Sequence, residues 1–412
     1  MTQLALTSWD TATLDWIADA RALTGSLMSR PDEPTNPGPV AVGTWSGGRF
    51  MHFGEPLDDE RLQALITPDD AIRTILTADV YGAGEADRLL GRAIAGGARD
   101  QMCIVGAVGH DFYEGERDGP KGFPRFTDPQ LRGPDGYADY LKMATERSLE
   151  RCDIDSFDLL LLHNPDRIGY TSEVVWTAMA SLREIGLTRM IGLAPGPANG
   201  FTLDVIDCLE RFGSVIDWTM IILNPLEPWP GELVLGAAES NDVGVITRVV
   251  DYGGLFFDDL RPGQTLVRGD HRGFRPAGWI EAGRERIDSM RPIADRAGLT
   301  MIQLACQWNL AHGPVRCVAP TLIQEVGPGA RAIEDKRAEL AQLPSELRLT
   351  ADDVAAIRTI GDNTGCMALK GANPQHSGDE QPDRWLLDER LATVARRWEI
   401  EPERDLSQRA AA

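Results

Sequence analysis

The chain has 412 residues, 42% of them hydrophobic and 25% charged, which is enough to bury one large core or two smaller ones and excludes disorder over most of its length. A formal charge of −22, from 63 acidic against 41 basic residues, opposes general affinity for nucleic acid or an anionic membrane and reads as a solubility feature. Six cysteines, at 103, 152, 208, 306, 317 and 366, form no CxxC pair, so neither a zinc site nor a disulfide framework is signalled and a reducing cytoplasm is the expected setting.

Residues 1–38 read as an amphipathic helix, WDTATLDWIADARALTGSLM, closed by the Pro-rich connector RPDEPTNPGP. Asp10 and Asp15 interrupt its first apolar stretch, and no uncharged run approaches the ~18 residues of a spanning helix, which argues against secretion and membrane insertion. Short apolar runs follow at 39–45, 71–78, 101–108, 157–163, 188–194, 217–223, 243–250 and 315–320, alternating with helical patterns such as TSEVVWTAMASLREIG (171–186). Runs apolar on both faces are what parallel strands covered by helices require, so eight β/α units predict an α/β fold, a (β/α)8 TIM barrel over 39–361, with its chemistry at the C-terminal ends of the strands. Two long loops, 110–136 after the third strand and 252–279 after the seventh, are expected to shape a pocket over the barrel mouth. The extension 362–412 contains DRWLLDERLATVARRW, expected to form a helix packed outside the barrel.

The stretch LTADVYGAGEADRLLGRAI (76–94) resembles the aldo-keto reductase superfamily, whose second strand typically ends Asp-Thr-Ala-x-x-Tyr-Gly ahead of a helix containing Leu-Gly. Thr77, Ala78, Tyr81, Gly82, Leu90 and Gly91 match. FDLLLLHNPD (157–166) is similar to the strand carrying that family's histidine, WTAMASLREIGLTRMIGLAP (176–195) to its helix and fifth strand, and LTMIQLACQWNL (299–310) to the helix before the eighth; the resemblance covers roughly residues 38–360. It implies a hydride-transfer tetrad of tyrosine, lysine, aspartate and histidine. Tyr81 and His163 fall on the tyrosine and histidine, but Leu76 stands at the aspartate position and Ala107 at the lysine position.

Losing both members of an ion pair together is physically coherent, because a buried lysine without its carboxylate is an uncompensated charge. The Ser-Asn and Gln that the family uses to hold a nicotinamide carboxamide fall on Ala194, Pro195 and Met220, which lack amide groups. The phosphate-binding turn is replaced by APTLIQEVGPGAR (319–331), although Arg331, Lys336 and Arg337 keep positive charge nearby; Arg331 and Lys336 are the candidate cofactor-binding residues. A tyrosine without an assisting cation has a pKa near ~10 and exchanges protons slowly at neutral pH.

The strand ends offer Tyr81, His163, Arg248 and His110 as candidate catalytic residues and Trp45, Asp79, Asn164, Asn224, Asp251 and Tyr252 as candidate substrate contacts. Asp111, Asp166, Glu227, Thr321, Gln324 and Glu325 complete a ring suited to a hydroxylated or carboxylated substrate. Each has a plainer reading. Trp45 either stacks on a sugar face or fills the barrel top. Tyr81 either reacts or packs under a loop with its hydroxyl on a backbone carbonyl. Arg248, inside the run VITRVVDYGG, either pairs with Asp251 or another barrel carboxylate, binds an anionic substrate or lowers the pKa of Tyr81. His110 is either a general base or a solvated loop residue. No compact ligand spacing supports a metal at His110 and His163, and the glycines of YGAGEAD are not a dinucleotide fingerprint.

Three functions compete. The one favoured is an enzyme performing non-redox acid/base chemistry (elimination, hydration or isomerisation) on a small polar carbonyl or carbohydrate-like substrate, with no cofactor. The second is an NAD(P)H-dependent oxidoreductase, using NADP or NAD through a rearranged site. The third is a binding barrel without catalysis. The expected partner is a small-molecule substrate, with homo-oligomerisation left open.

Overall fold

Eight short strands pair in parallel and in chain order: β1 (Ala41–Gly43), β2 (Thr74–Leu76), β3 (Cys103–Val108), β4 (Phe157–His163), β5 (Thr188–Ala194), β6 (Trp218–Ile222), β7 (Gly244–Arg248) and β8 (Val315–Ala319). An isolated parallel bridge between Val40 and Val318 brings β8 back to β1, so the sheet closes on itself as a (β/α)8 barrel. The computed structural model describes residues 36–50, 54–119, 122–196, 201–260, 266–275, 277–327, 329–364 and 387–406. Most of the helix expected over 1–38 lies outside them.

Side chains alternate across each strand, and that alternation separates two cores. Leu160 and Leu162 face the surrounding helices, whereas Leu159 and Leu161 face the lumen, joined there by Ala41, Leu76, Val105, Ala107, Met220, Ile246 and Cys317. The helices are started by their own sequence signals. Thr300 and Gln303 form a reciprocal capping box before the helix Met301–Leu310, and Thr350 and Asp353 form another before Ala351–Ile360.

The loop after β3 folds back over the mouth. The Phe126 amide donates to Gly109 O at 3.0 Å and the Asp111 amide to Pro124 O at 2.8 Å. Phe126 stacks on Tyr140 of the helix Tyr137–Cys152 with ring centroids 5.2 Å apart, so this Gly- and Pro-rich segment has an aromatic floor. The loop after β7 is anchored in the same way, with Leu255, Phe256 and Phe257 buried. In the C-terminal extension the helix Glu389–Arg397 buries Leu391, Val394 and Ala395 at helical spacing against the helix Thr202–Phe212. Arg390 pairs there with Asp207 at 2.9 Å. No helix of the described residues is long and apolar enough to cross a membrane.

Candidate active site

Strand parity builds the site. On β4 the alternation that points Leu159 and Leu161 inward points His163 to the same side, at the strand's C-terminal end. The same rule carries Ile246 to Arg248 on β7. Tyr81 follows β2 through a turn in which its amide donates to Ala78 O at 3.0 Å, and Gly82, Ala83 and Gly84 all take positive φ before the helix Glu85–Ile94 begins. At Gly82, φ is +59° and an added Cβ would lie 2.7 Å from the Phe50 ring, so glycine is required there.

These turns bring three rings together. Tyr81 meets His163 edge to face at 5.8 Å, and Trp45 approaches Tyr81 at 6.3 Å. Trp45 lies over Gly43, where a Cβ would be only 2.4 Å from the indole. The Tyr81 hydroxyl bonds to no group of the described residues, so the plain role of anchoring to a backbone carbonyl is not filled. Burial pushes this phenol up to about 12, and the Arg248 charge lowers it only in part. Leu76 and Ala107 lie against the lumen at 2% and 6% exposure, so the two positions flanking Tyr81 from below are apolar.

His163 is held neutral. Burial drives its pKa far below the usual imidazole value, and His110, Arg125 and Arg248 add to the effect. Its Nδ1 is sealed without a hydrogen-bond partner, which leaves Nε2 as the nitrogen for chemistry. His110 packs on it with centroids 5.0 Å apart. Arg125 Nη1 lies 3.1 Å from His110 Nδ1 and 3.3 Å from Phe123 O. His110 Nδ1 also lies 3.3 Å from Phe123 O, and the Asn164 Nδ2 faces Nε2 at 3.1 Å; since that amide nitrogen only donates, Nε2 accepts and the His110 proton sits on Nδ1, donated to the carbonyl. Burial, then the Arg125 charge, push His110 down to about 3. The expectation of a general base at His110 therefore fails on geometry: its one lone pair, on Nε2, is engaged by the Asn164 amide.

Arg125 was not singled out by the sequence. It comes from the middle of the loop after β3, among other basic residues with no periodicity to distinguish it, and it also donates through Nε to Asn164 O. Asn164 takes a left-handed φ of 45° that suits asparagine, and so joins the network rather than standing free for a substrate.

Arg248 does not pair with Asp251. Its Nη2 crosses to the end of β5 and donates to Pro195 O at 2.9 Å and Gly196 O at 2.8 Å. Asp251 instead accepts the Gly254 and Thr321 amides, both at 2.8 Å. The reason is the backbone beyond β7: Val249 and Tyr252 both have positive φ, which rolls the chain over and buries Asp251 under its own loop. Tyr252 stacks on Trp279 at 5.3 Å within the core. Asn224 is fully buried and binds Glu227, Val249 O and the Leu226 amide. These three expected substrate contacts do not reach the mouth.

Asp79 also turns away. It has the parity of Thr77, which bonds outward to Asp87 at 2.9 Å, so its carboxyl lies between helices rather than in the lumen. It is fully buried with no side-chain partner for either oxygen, and burial followed by the nearby Asp87 charge holds its pKa well above the carboxylate range.

The two expected cofactor residues serve the fold. Lys336, 1% exposed, pairs with Asp259 at 3.0 Å and donates to Ile323 O at 3.1 Å. Arg331 pairs with Glu339 at 2.6 Å. Asp259 is shared with Arg272, which also holds Asp270, each at 2.7 Å, and His271 closes on Glu325. Asp270, His271 and Glu325 lie close enough to share a metal ion, yet the Arg272 guanidinium already sits on Asp270. Around this cluster the segment after β8 is stitched to the β1 loop by the Gly47 amide on Leu322 O and the Glu55 amide on Gln324 O, both at 2.7 Å. At the barrel mouth, Ala194, Pro195 and Met220 present no amide side chain. Neither region fits a nicotinamide dinucleotide: carboxamide donors are missing at one end and the basic side chains are committed to acids or carbonyls at the other.

Residues 39–362 match the model of the Aldo/keto reductase family. Curated relatives include the probable voltage-gated potassium channel subunit beta of Arabidopsis thaliana, 23% identical over 294 residues, which are 68% of this chain and 83% of that protein. Another is the 6-dehydroglucose reductase of Novosphingobium aromaticivorans, 24% identical over 319 residues, 72% of this chain and 86% of that one. The solved structure of the glycerol dehydrogenase AKR11B4 from Gluconobacter oxydans aligns with a TM-score of 0.61 at 22% identity, covering 80% of this chain and 94% of its own; that likeness concerns the fold.

Proposed function

Because the chain belongs to the Aldo/keto reductase family, we propose that it acts on a small polar carbonyl compound and moves protons beside that carbonyl rather than hydride onto it. The observation that carries this reading is the Tyr81–His163 pair, 5.8 Å apart in a mouth whose two flanking positions are the buried Leu76 and Ala107. A phenol raised to about 12 stays protonated and donates a hydrogen bond to the developing oxyanion, while the neutral imidazole of His163 offers its Nε2 lone pair to take the proton from the carbon beside the carbonyl. The resulting enolate, with its oxygen on Tyr81 and the proton on His163, is common to elimination, hydration and isomerisation next to a carbonyl. Arg248 supplies positive field to the same oxygen region.

Hydrogen–deuterium exchange at the carbon beside the carbonyl, followed by NMR over a panel of aldehydes, ketones and sugars without nicotinamide, tests the reading. Exchange that vanishes in Tyr81→Phe is the expected result; a low-micromolar dissociation constant for NADPH on the same protein overturns it. A nicotinamide-dependent reductase is the second reading, and the curated relative named 6-dehydroglucose reductase favours it. Oxidation of NADPH or NADH, monitored by absorbance with the same panel, decides for it; silence with both removes it.

A further inference from the structure

We propose that Arg248 is the recognition residue for a substrate carboxylate, so that the compound entering this mouth is a carbonyl that also carries a carboxylate group. This rests on Tyr81 and His163 being the reacting pair.

The argument begins with what Arg248 lacks. Several sheltered arginines of this acidic chain meet acids: Arg132 pairs with Asp111 and Glu114, Arg272 with Asp259 and Asp270, Arg358 with Glu232. Among the described residues Arg248 forms no ion pair with a carboxylate. It has two neutral carbonyls on one Nη2, and its Nε is buried with no partner at all. Carbonyl oxygens fix the plane of a guanidinium but do not neutralise it, and a cation withdrawn from water without a counter-ion is costly to the fold. An arginine kept in that condition at the open end of a barrel is poised for an anion from outside.

Its surroundings agree. Arg248 ends β7 on the lumen side, as His163 ends β4, and its field reaches both Tyr81 and His163. None of the expected acids pairs with it there: Asp79 points between helices, Asp251 is closed on backbone amides and Asp111 on Arg132. The neighbouring imidazoles are neutral, and Glu227, a carboxylate whose charge reaches Arg248, is buried with the Asn224 amide on it at 3.2 Å. With both Nη2 protons on the two backbone carbonyls and Nε buried, an incoming anion meets Nη1, which suits one oxygen of a carboxylate monoanion, whereas a phosphate dianion needs more donors than this arginine has left. With the carboxylate on Arg248, the carbonyl of the same molecule is directed toward the Tyr81–His163 side of the mouth.

Isothermal titration of the full chain at low salt with two matched pairs, D-glucuronate against D-glucose and pyruvate against hydroxyacetone, tests the assignment. The carboxylate of at least one pair is expected to bind about ten- to a hundredfold more tightly than its neutral partner, the ratio expected of a charge-assisted hydrogen-bonded contact. In Arg248→Gln that ratio is expected to fall to about one, with Arg248→Lys intermediate because an ammonium keeps the charge but lacks the carbonyl-fixed plane that aims Nη1. Should Arg248→Gln not fold, Arg248→Lys alone carries the test, and an undiminished preference in it counts against the proposal. Equal binding within both pairs, no binding of either carboxylate, a preference for inorganic phosphate over both, or a preference that survives Arg248→Gln overturns it. A carboxylate preference found together with tight NADPH binding leaves this assignment standing and removes the proton-transfer reading; deuterium exchange into neutral carbonyls without carboxylate preference does the reverse.

Discussion

His110 and His163 meet edge to face with their ring centroids 5.0 Å apart, and both are neutral. Two imidazolium ions at that separation, beside Arg125 and Arg248, would repel each other and the arginines. The consequence for stability has a definite sign. An unfolded histidine titrates near 6.5 and folded His110 at about 3, so between those values the unfolded chain holds the extra proton. Stability is intact above 6.5 and falls as the pH drops toward 3. His110→Gln is expected to flatten this slope by about 2 kcal/mol between pH 6.5 and 4.5, measured by urea denaturation at the two values.

The opposite sign applies at Asp79. Folded, its carboxyl keeps the proton above the ordinary 3.8, whereas the unfolded one loses it there, so stability is intact below 3.8 and declines as the pH rises toward the folded pKa. Asp79→Asn preserves the shape and has no such proton. It is expected to match the parent at about pH 4 and to exceed it by roughly 1 kcal/mol or more near pH 8, read from denaturation midpoints.

Tyr81→Phe separates chemistry from packing. Since the hydroxyl bonds to nothing in the described protein, its removal is expected to change stability by less than about 0.5 kcal/mol. Turnover on any identified substrate is expected to fall roughly 10²- to 10⁴-fold. A thermal melt alongside the rate measurement tells the two apart, and an unchanged rate removes Tyr81 from the chemistry.

The loop over the mouth hangs on one arginine. Arg132 holds the fully buried Asp111 at 2.5 Å and Phe126 O at 2.7 Å, and its guanidinium lies 4.3 Å from the Tyr140 ring centroid. Arg132→Ala strips the buried Asp111 of its cationic partner, leaving it on the Tyr113 and Glu114 amides, and is expected to cost about 3 kcal/mol. Limited proteolysis should then cut between residues 112 and 123 under conditions that leave the parent intact; an uncut variant of unaltered stability contradicts this.

Much of the barrel was legible because eight apolar runs with turn signals between them have few other arrangements. For β4 and β5 the expected limits, 157–163 and 188–194, are those observed. β2 is shorter than the expected 71–78 because Asp69 captures the Ala71 and Ile72 amides in a local turn before the ladder starts. At the site, a motif located Tyr81 and His163, and parity accounts for Arg248. What the sequence leaves open is side: proximity to a strand end does not say whether a residue faces the lumen, so Asp79 was assigned inward and lies outward. Asp251 and Asn224 belong to loops whose direction depends on left-handed residues at Val249 and Tyr252, where no glycine advertises them. Arg125 depends on the fold of a long loop, which tertiary packing decides.

The ion-paired cluster beneath β8 limits how this barrel can be converted by design. Reinstating an acid at 76 and an amine at 107 would refit the lumen alone. The outer berth would remain bolted, since Lys336 and Arg272 grip the same Asp259 and freeing either strands a buried ion. Turning those two cations toward a phosphate would therefore mean rebuilding the whole run from 321 to 336, a change of architecture and not of two side chains.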